Sequence, residues 1–161
     1  VEAGMAGFER GRNLEKMGMK AQDTSELFFN DVKVPKDNLL GEAGMGFIYL
    51  MRELPQERLS IAVSAVAACE AVIQETVKYV KQRTAFGKTI AECQYTQCKL
   101  AELEAEVTVM RVFIDRCAEL LVKKELSTVE ASKAKLLATE LQGKVTDQCV
   151  QMHGGYGYMW E

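Results

Sequence analysis

Over the last two thirds of the chain, apolar residues recur at helical spacing; over roughly the first forty residues they do not. The clearest seam is Leu100, Leu103, Val107, Met110, Ile114, Cys117 and Leu121, a strict alternation of three- and four-residue steps along one helical face. It predicts a helix that starts near Gln94 and ends near Lys123 and Lys124, where cations suit the C-terminal carbonyls. Ser127-Thr-Val-Glu130 is a capping-box signature for another long helix. Its apolar face is read as Ala134, Leu137, Leu141, Val145 and Cys149, and it should stop at His153-Gly-Gly155. Upstream, a helix is expected from near Gly44 to about Gln82, roughly 58 Å long at 1.5 Å per residue. Pro55, in its first third, removes a backbone donor and predicts a bend or a restart just before Glu57. The Ala- and Val-rich stretch from Ile61 to Ile73 should pack closely on several sides.

Residues 1–40 carry a different pattern, with Gly4, Gly7, Gly11 and Gly18 punctuating short segments. Glu26-Leu-Phe-Phe-Asn-Asp-Val-Lys-Val34 is the best strand candidate, rich in aromatic and β-branched residues and closed by Pro35. Lys36-Asp-Asn-Leu-Leu-Gly41 reads as a turn. Two or three strands do not make a stable sheet alone, so this region either leans on the helices or, the favoured reading, pairs with strands elsewhere in a longer protein. The expected fold is therefore mainly α: an antiparallel helical bundle of three long helices, its fourth truncated, preceded by a partial β domain. Residues 1–40 are assigned to the C-terminal part of that β domain and residues 41–161 to the helical bundle domain.

Composition narrows the possible chemistry. The 161 residues are 48% apolar, enough for a sizeable core, and 20 basic residues face 23 acidic ones for a net charge of −3. A nucleic-acid surface would favour a basic excess, so none is expected. No apolar run is read as a membrane span and no targeting segment is visible, with Val1 taken as a processing boundary. Five cysteines stand at 69, 93, 98, 117 and 149 with no Cys-x-x-Cys pair, which reads as free thiols in a reducing compartment. The only histidine is His153, without ligand spacing around it, so no metal site is expected.

Three polar features stand out. Glu57-Arg58 reads first as a solvated carboxylate beside an arginine; the other reading is a general base, since a carboxylate desolvated by bound substrate becomes basic enough to approach C–H proton abstraction. Arg83-Thr-Ala-Phe-Gly-Lys88 sits where the first long helix must end. Phe86 is expected to wedge that turn and Gly87 to open it, leaving Arg83 either as a helix-terminal cation or as a phosphate contact. Gln151-Met-His-Gly-Gly-Tyr-Gly157 is a glycine-rich helix exit, either a plain C-cap or a place where a cofactor approaches the backbone. It is neither a GxGxxG after a strand nor a phosphate loop with its lysine.

Taken in order, Lys16-Met-Gly-Met-Lys-Ala-Gln-Asp-Thr24, Phe28-Phe-Asn-Asp-Val-Lys-Val-Pro35, Leu40-Gly41, Glu57-Arg58, Arg83-Thr-Ala-Phe-Gly87 and Gln151-Met-His-Gly-Gly-Tyr-Gly157 resemble the acyl-CoA dehydrogenase family over the whole chain. Leu54-Pro-Gln-Glu-Arg-Leu59 and Gly155-Tyr-Gly-Tyr-Met-Trp-Glu161 look most like its long-chain branch. The resemblance implies a flavoprotein oxidoreductase of fatty-acid β-oxidation that uses FAD and an acyl-CoA substrate and passes electrons to electron-transferring flavoprotein. In the branches that carry the base on the first helix of the C-terminal domain it stands just before an arginine, which Glu57 matches; Arg58 would order that region or the CoA-side polar network. The family's contacts to the adenosine-pyrophosphate end of FAD fall on Arg83, Phe86, Gln151 and Gly155, typically reaching a neighbouring subunit, which implies a homo-oligomer, a dimer or tetramer. Ala85 stands where some relatives carry a hydroxyl residue. The expected compartment is the mitochondrial matrix in a eukaryote and the cytoplasm in a bacterium. The 161 residues alone are expected to turn over no substrate. An acyl-CoA oxidase-like flavoenzyme and a non-catalytic helical assembly domain are the competing readings.

Overall fold

The computed structural model describes residues 1–160; Glu161, the last residue of the segment quoted above, lies outside them. The chain divides into two compact units, Val1–Ile48 and the part from Tyr49 onward.

In the first unit, β1 (Phe8–Asn13) pairs antiparallel with β2 (Ser25–Phe29), with Phe8 opposite Phe29, Arg10 opposite Leu27 and an irregularity between Arg10 and Asn13. The Phe8 and Phe29 rings meet with centroids 5.2 Å apart. At the open end of the pair Gly7 has a φ of +83°, and a Cβ there would lie 2.0 Å from the Asn30 carbonyl oxygen. The second strand is shorter than the Glu26–Val34 segment read from the sequence. Asp31 turns into the left-handed region at φ +50°, which ends the pleat before Val32, Val34 and Pro35. The Lys36–Gly41 turn contains a 3-10 segment at Lys36–Asn38, as expected.

The second unit is helical. The helix α1 (Gly46–Gln82) begins in the first unit and continues without interruption through Pro55, so no restart precedes Glu57. A short hairpin of β3 (Thr84–Ala85) and β4 (Lys88–Thr89) leads into α2 (Gln94–Val122), and α3 (Thr128–His153) follows. The Ser127 capping box forms: Ser127 Oγ accepts from the Glu130 N–H at 3.1 Å, while Glu130 Oε2 accepts from the Ser127 N–H at 3.2 Å.

Side-chain bridges fix the relative directions of the helices. Arg58 on α1 donates to Ser132 near the start of α3, and Tyr79 near the end of α1 donates to the His153 carbonyl at the end of α3, so α1 and α3 run the same way. Lys144 late in α3 pairs with Glu106 and Glu102 early in α2, so α2 runs opposite to α3. The order is up-down-up, an antiparallel three-helix bundle.

Leu59, Val66, Cys69 and Ile73 of α1, Leu103, Val107, Ile114 and Cys117 of α2, and Ala134, Ala138, Leu141, Val145 and Cys149 of α3 form the core. Small residues on α3 let its backbone approach: Ala131, Ala134 and Ala138 are each 0% exposed. This corrects one residue of the expected face, for Leu137 is 48% exposed and Ala138 takes the inward place. On α2, Leu120 is buried while Leu121 packs only partly against the core. All five cysteines are free, and burial raises the thiol pKa of Cys69, Cys117 and Cys149 above the ordinary value.

By length and composition α1 does contain a stretch apolar enough to cross a membrane, with a mean hydropathy of 1.4 and a third of that stretch buried. Its inward residues from Leu59 to Val80 pack in the bundle core, the usual alternative origin of such a signal.

Candidate functional site

Because α1 and α3 run in the same direction, their C-terminal ends come together, and with the segment leading into α2 and the glycine turn after α3 they line a cleft of about 410 Å³. Each wall follows from local sequence. The Arg83 N–H closes the last turn of α1 on the Tyr79 carbonyl at 2.8 Å. The strands β3 and β4 are joined by only two residues, Phe86 at φ +54° and Gly87 at φ +80°. Positive φ at both central positions is the geometry that matches the twist of a tight hairpin. Thr89 then caps the next 3-10 segment through Glu92, whose carboxyl is held below its usual range by hydrogen bonds from the Thr89 N–H and hydroxyl.

On the other side, α3 stops at Gly154, whose φ of +59° and ψ of −138° suit a residue without a side chain. The turn Gly154–Tyr158 then folds back on the helix, and a Cβ at Gly157 would lie 2.6 Å from the Val150 carbonyl oxygen. Tyr79 fastens this turn to α1. Its hydroxyl donates to the His153 carbonyl at 3.2 Å, and its ring stacks on the His153 ring with centroids 4.2 Å apart. His153 Nδ1 lies 2.8 Å from the Cys149 carbonyl oxygen, so in the neutral ring Nδ1 carries the proton and donates it. Across the mouth, the Arg83 guanidinium carbon sits 5.0 Å from the centre of the Tyr156 ring.

Arg83, Gln151 and Gly155, singled out from the sequence, all line this cleft together with Tyr79, His153 and Tyr156. Phe86 does not line it. Instead of wedging the turn, the ring stands at the hairpin tip, 102% exposed, because the two-residue loop turns the side chain away from the bundle. Glu57 lies elsewhere, exposed on α1 and 26 residues before Arg83, about 39 Å along the helix. Arg58 turns from it toward α3, donating through Nη1 to Ser132 Oγ at 3.0 Å beside a shallow groove with Lys135, Leu136 and Thr139. Sequence reasoning missed Tyr79 and Tyr156. The first was legible as the residue one helical turn before Arg83; the second carried no signal beyond its place among the glycines.

The chemistry of the cleft suits an anionic, partly aromatic ligand. The C-terminal ends of α1 and α3 carry the negative end of the backbone dipole and do not attract an anion, whereas the start of α2, which lines the cleft through Cys93, Tyr95 and Thr96, carries the positive end. Full positive charge comes from Arg83, which makes no ion pair among the described residues, and neutral donors are available in the Gln151 amide and the backbone N–H groups of the glycine turn. Nothing lies within 4 Å of the place a Cβ would occupy on Gly155, which leaves room for a ligand against the backbone. Among the described residues no group of three or more His, Cys, Asp or Glu side chains is placed to hold a metal ion.

Comparison with known proteins agrees with this architecture. Residues 44–161 match the family model described as acyl-CoA dehydrogenase, C-terminal domain. The whole chain is 59% identical to the mitochondrial long-chain specific acyl-CoA dehydrogenase of Mus musculus, of which it spans 37%, and 38% identical to the short-chain specific acyl-CoA dehydrogenase of Megasphaera elsdenii, of which it spans 42%. A crystal structure of an acyl-CoA dehydrogenase from Geobacillus kaustophilus superimposes with a TM-score of 0.94 at 51% identity, over 99% of this chain and 42% of that one. The chain belongs to the acyl-CoA dehydrogenase family, carrying its C-terminal helical domain, and its likeness to long-chain specific members extends over its full length. It spans about two fifths of the length of these relatives.

Proposed function

We propose that this chain is part of an FAD-dependent acyl-CoA dehydrogenase that converts long-chain acyl-CoA to trans-2-enoyl-CoA in fatty-acid β-oxidation. Residues 1–40 form the end of its β domain and residues 41–161 most of its helical domain. The observation that carries the reading is the convergence of Arg83, Gln151 and Gly155, from segments some seventy residues apart, on one cleft with an unpaired guanidinium. An adenosine-pyrophosphate group fits that donor set: Arg83 meets the phosphates, Gln151 supplies amide hydrogen bonds, and Gly155 allows the backbone to come close. Phe86, projecting from the hairpin tip, contributes from outside the cleft, against a neighbouring subunit's cofactor in a dimer or tetramer.

Glu57 is the base in this reading. It removes the proton from the carbon next to the thioester carbonyl, and FAD, when bound, supplies the acceptor for the hydride that leaves the neighbouring carbon. Glu57 is exposed on α1, and substrate that displaces its water makes the carboxylate more basic. Arg58 holds α1 to α3 through Ser132 and so orders the backbone that carries Glu57. Electron-transferring flavoprotein takes the electrons on, and the enzyme works in the mitochondrial matrix of a eukaryote or the cytoplasm of a bacterium.

The test uses the full-length protein, purified without added flavin. The expected preparation is yellow, is bleached anaerobically by palmitoyl-CoA, and is reoxidised by electron-transferring flavoprotein with little peroxide formed in air. Stoichiometric peroxide would replace the dehydrogenase by an oxidase. A colourless protein that takes up no FAD would leave only a helical assembly domain.

A further inference from the structure

Arg83 is the single arginine or lysine lining the cleft, where the C-terminal ends of α1 and α3 oppose an anion and only the start of α2 favours one. It is exposed and makes no ion pair among the described residues, so its direction is set by something other than a carboxylate. The contact that remains is the Tyr156 ring face, 5.0 Å from its guanidinium carbon and inside the range of a cation–π interaction. We propose that Tyr156 is a positioning residue for the cofactor: its ring supports the Arg83 guanidinium across the cleft mouth and leaves the five N–H donors free for a pyrophosphate. This rests on the assignment of the cleft to the adenosine-pyrophosphate end of FAD.

The geometry explains why a ring suits this position better than an acid. A carboxylate would hold Arg83 as firmly, but it would use up the donors and repel the ligand. A ring face holds the charge through its quadrupole and leaves the edge of the guanidinium free. The ring itself is well placed for the task. Tyr156 sits in the turn Gly154–Tyr158, which Gly157 presses against the Val150 carbonyl and which Tyr79 ties to α1 through His153. The arginine comes from the end of α1 and its support from the turn after α3, so the pair also joins the two walls of the cleft.

The experiment is a double-mutant cycle in the full-length holoenzyme, reading FAD affinity by reconstitution of the apoprotein. Tyr156→Leu is expected to weaken FAD by about two- to tenfold, whereas Tyr156→Phe, which keeps the ring face, stays within about twofold of the parent. In an Arg83→Ala background, Tyr156→Leu should have no further effect, because the group it positions is gone. Equal losses in both backgrounds would make Tyr156 merely structural and overturn the proposal. So would unchanged affinity in Tyr156→Leu where Arg83→Ala alone weakens FAD. If Arg83→Ala itself leaves FAD affinity unchanged, the assignment of the cleft fails first, and the proposal falls with it.

Discussion

The bridge between Glu70 on α1 and Arg111 on α2 gives a stability prediction whose size and pH dependence both follow from geometry. Arg111 donates from Nε to Oε1 at 2.8 Å and from Nη2 to Oε2 at 2.6 Å, a two-pronged pair whose side chains are 30% and 36% exposed. Asp115, 3.8 Å from Nη1, is a weaker second partner. Fully exposed pairs contribute about 0.2–1 kcal/mol, while removing one partner of a buried pair costs about 3–5 kcal/mol. A bidentate pair a third exposed belongs between them, so Glu70→Gln should cost about 1–2 kcal/mol. For a domain of this size that lowers Tm by about 2–8 °C. The Arg111 hydrogen bond holds the Glu70 carboxyl below its ordinary value. A carboxylate with a depressed folded-state pKa stabilises the protein above its unfolded pKa, and that contribution is lost as pH falls through the folded value. Thermal melts followed by circular dichroism should therefore show the full gap between parent and Glu70→Gln at pH 7 and a narrowing gap below about pH 4.5. Equal Tm values at pH 7, or a gap that persists undiminished at pH 3, would refute the reasoning.

Other outcomes can be checked with the same melts. Ser127→Ala removes the acceptor for the Glu130 N–H at the start of α3 and should cost about 1 kcal/mol, whereas Ser127→Asp, which keeps an acceptor, should recover most of it. Leu103→Ala, at a fully buried site, should cost about 2–5 kcal/mol, against less than about 1 kcal/mol for Leu137→Ala on the half-exposed side of α3; comparable losses would mean that the inward face of α3 is misassigned.

Much of the bundle was legible because its signals are local. The seam along α2, the capping box before α3 and the glycine that stops α3 each act within a turn or two of chain, and the helix boundaries fell within about two residues of expectation. Errors arose where local pattern and packing compete. Leu137 and Ala138 both satisfy a helical period, and only the close approach of α3 to the core selects the smaller residue for the inside. The aromatic and β-branched residues of Glu26–Val34 suggest a long strand, but Asp31 in the left-handed region ends it. Phe86 reads as a wedge in the turn until the positive φ of both turn residues places it at a hairpin tip.

The site was less legible than the fold. Nothing in composition or spacing joins Arg83 to Gln151 and Gly155; the resemblance to a family named them, and the parallel course of α1 and α3 brings them to one cleft. Tyr79 and Tyr156 escaped notice because their roles are relational, one tying the glycine turn to α1 and the other facing the guanidinium. Glu57 is set apart by its place on α1 just before Arg58, with its carboxylate exposed.

Proton abstraction by Glu57, as proposed above, is tested directly by one substitution. Glu57→Gln in the full-length protein keeps the size and polarity of the side chain on α1 but removes the carboxylate proposed as the base. Stopped-flow absorbance of the flavin after mixing with palmitoyl-CoA under anaerobic conditions should show normal FAD content and substrate binding with bleaching slowed by at least about a thousandfold. Bleaching at the parent rate would contradict the account and place the base elsewhere in the protein.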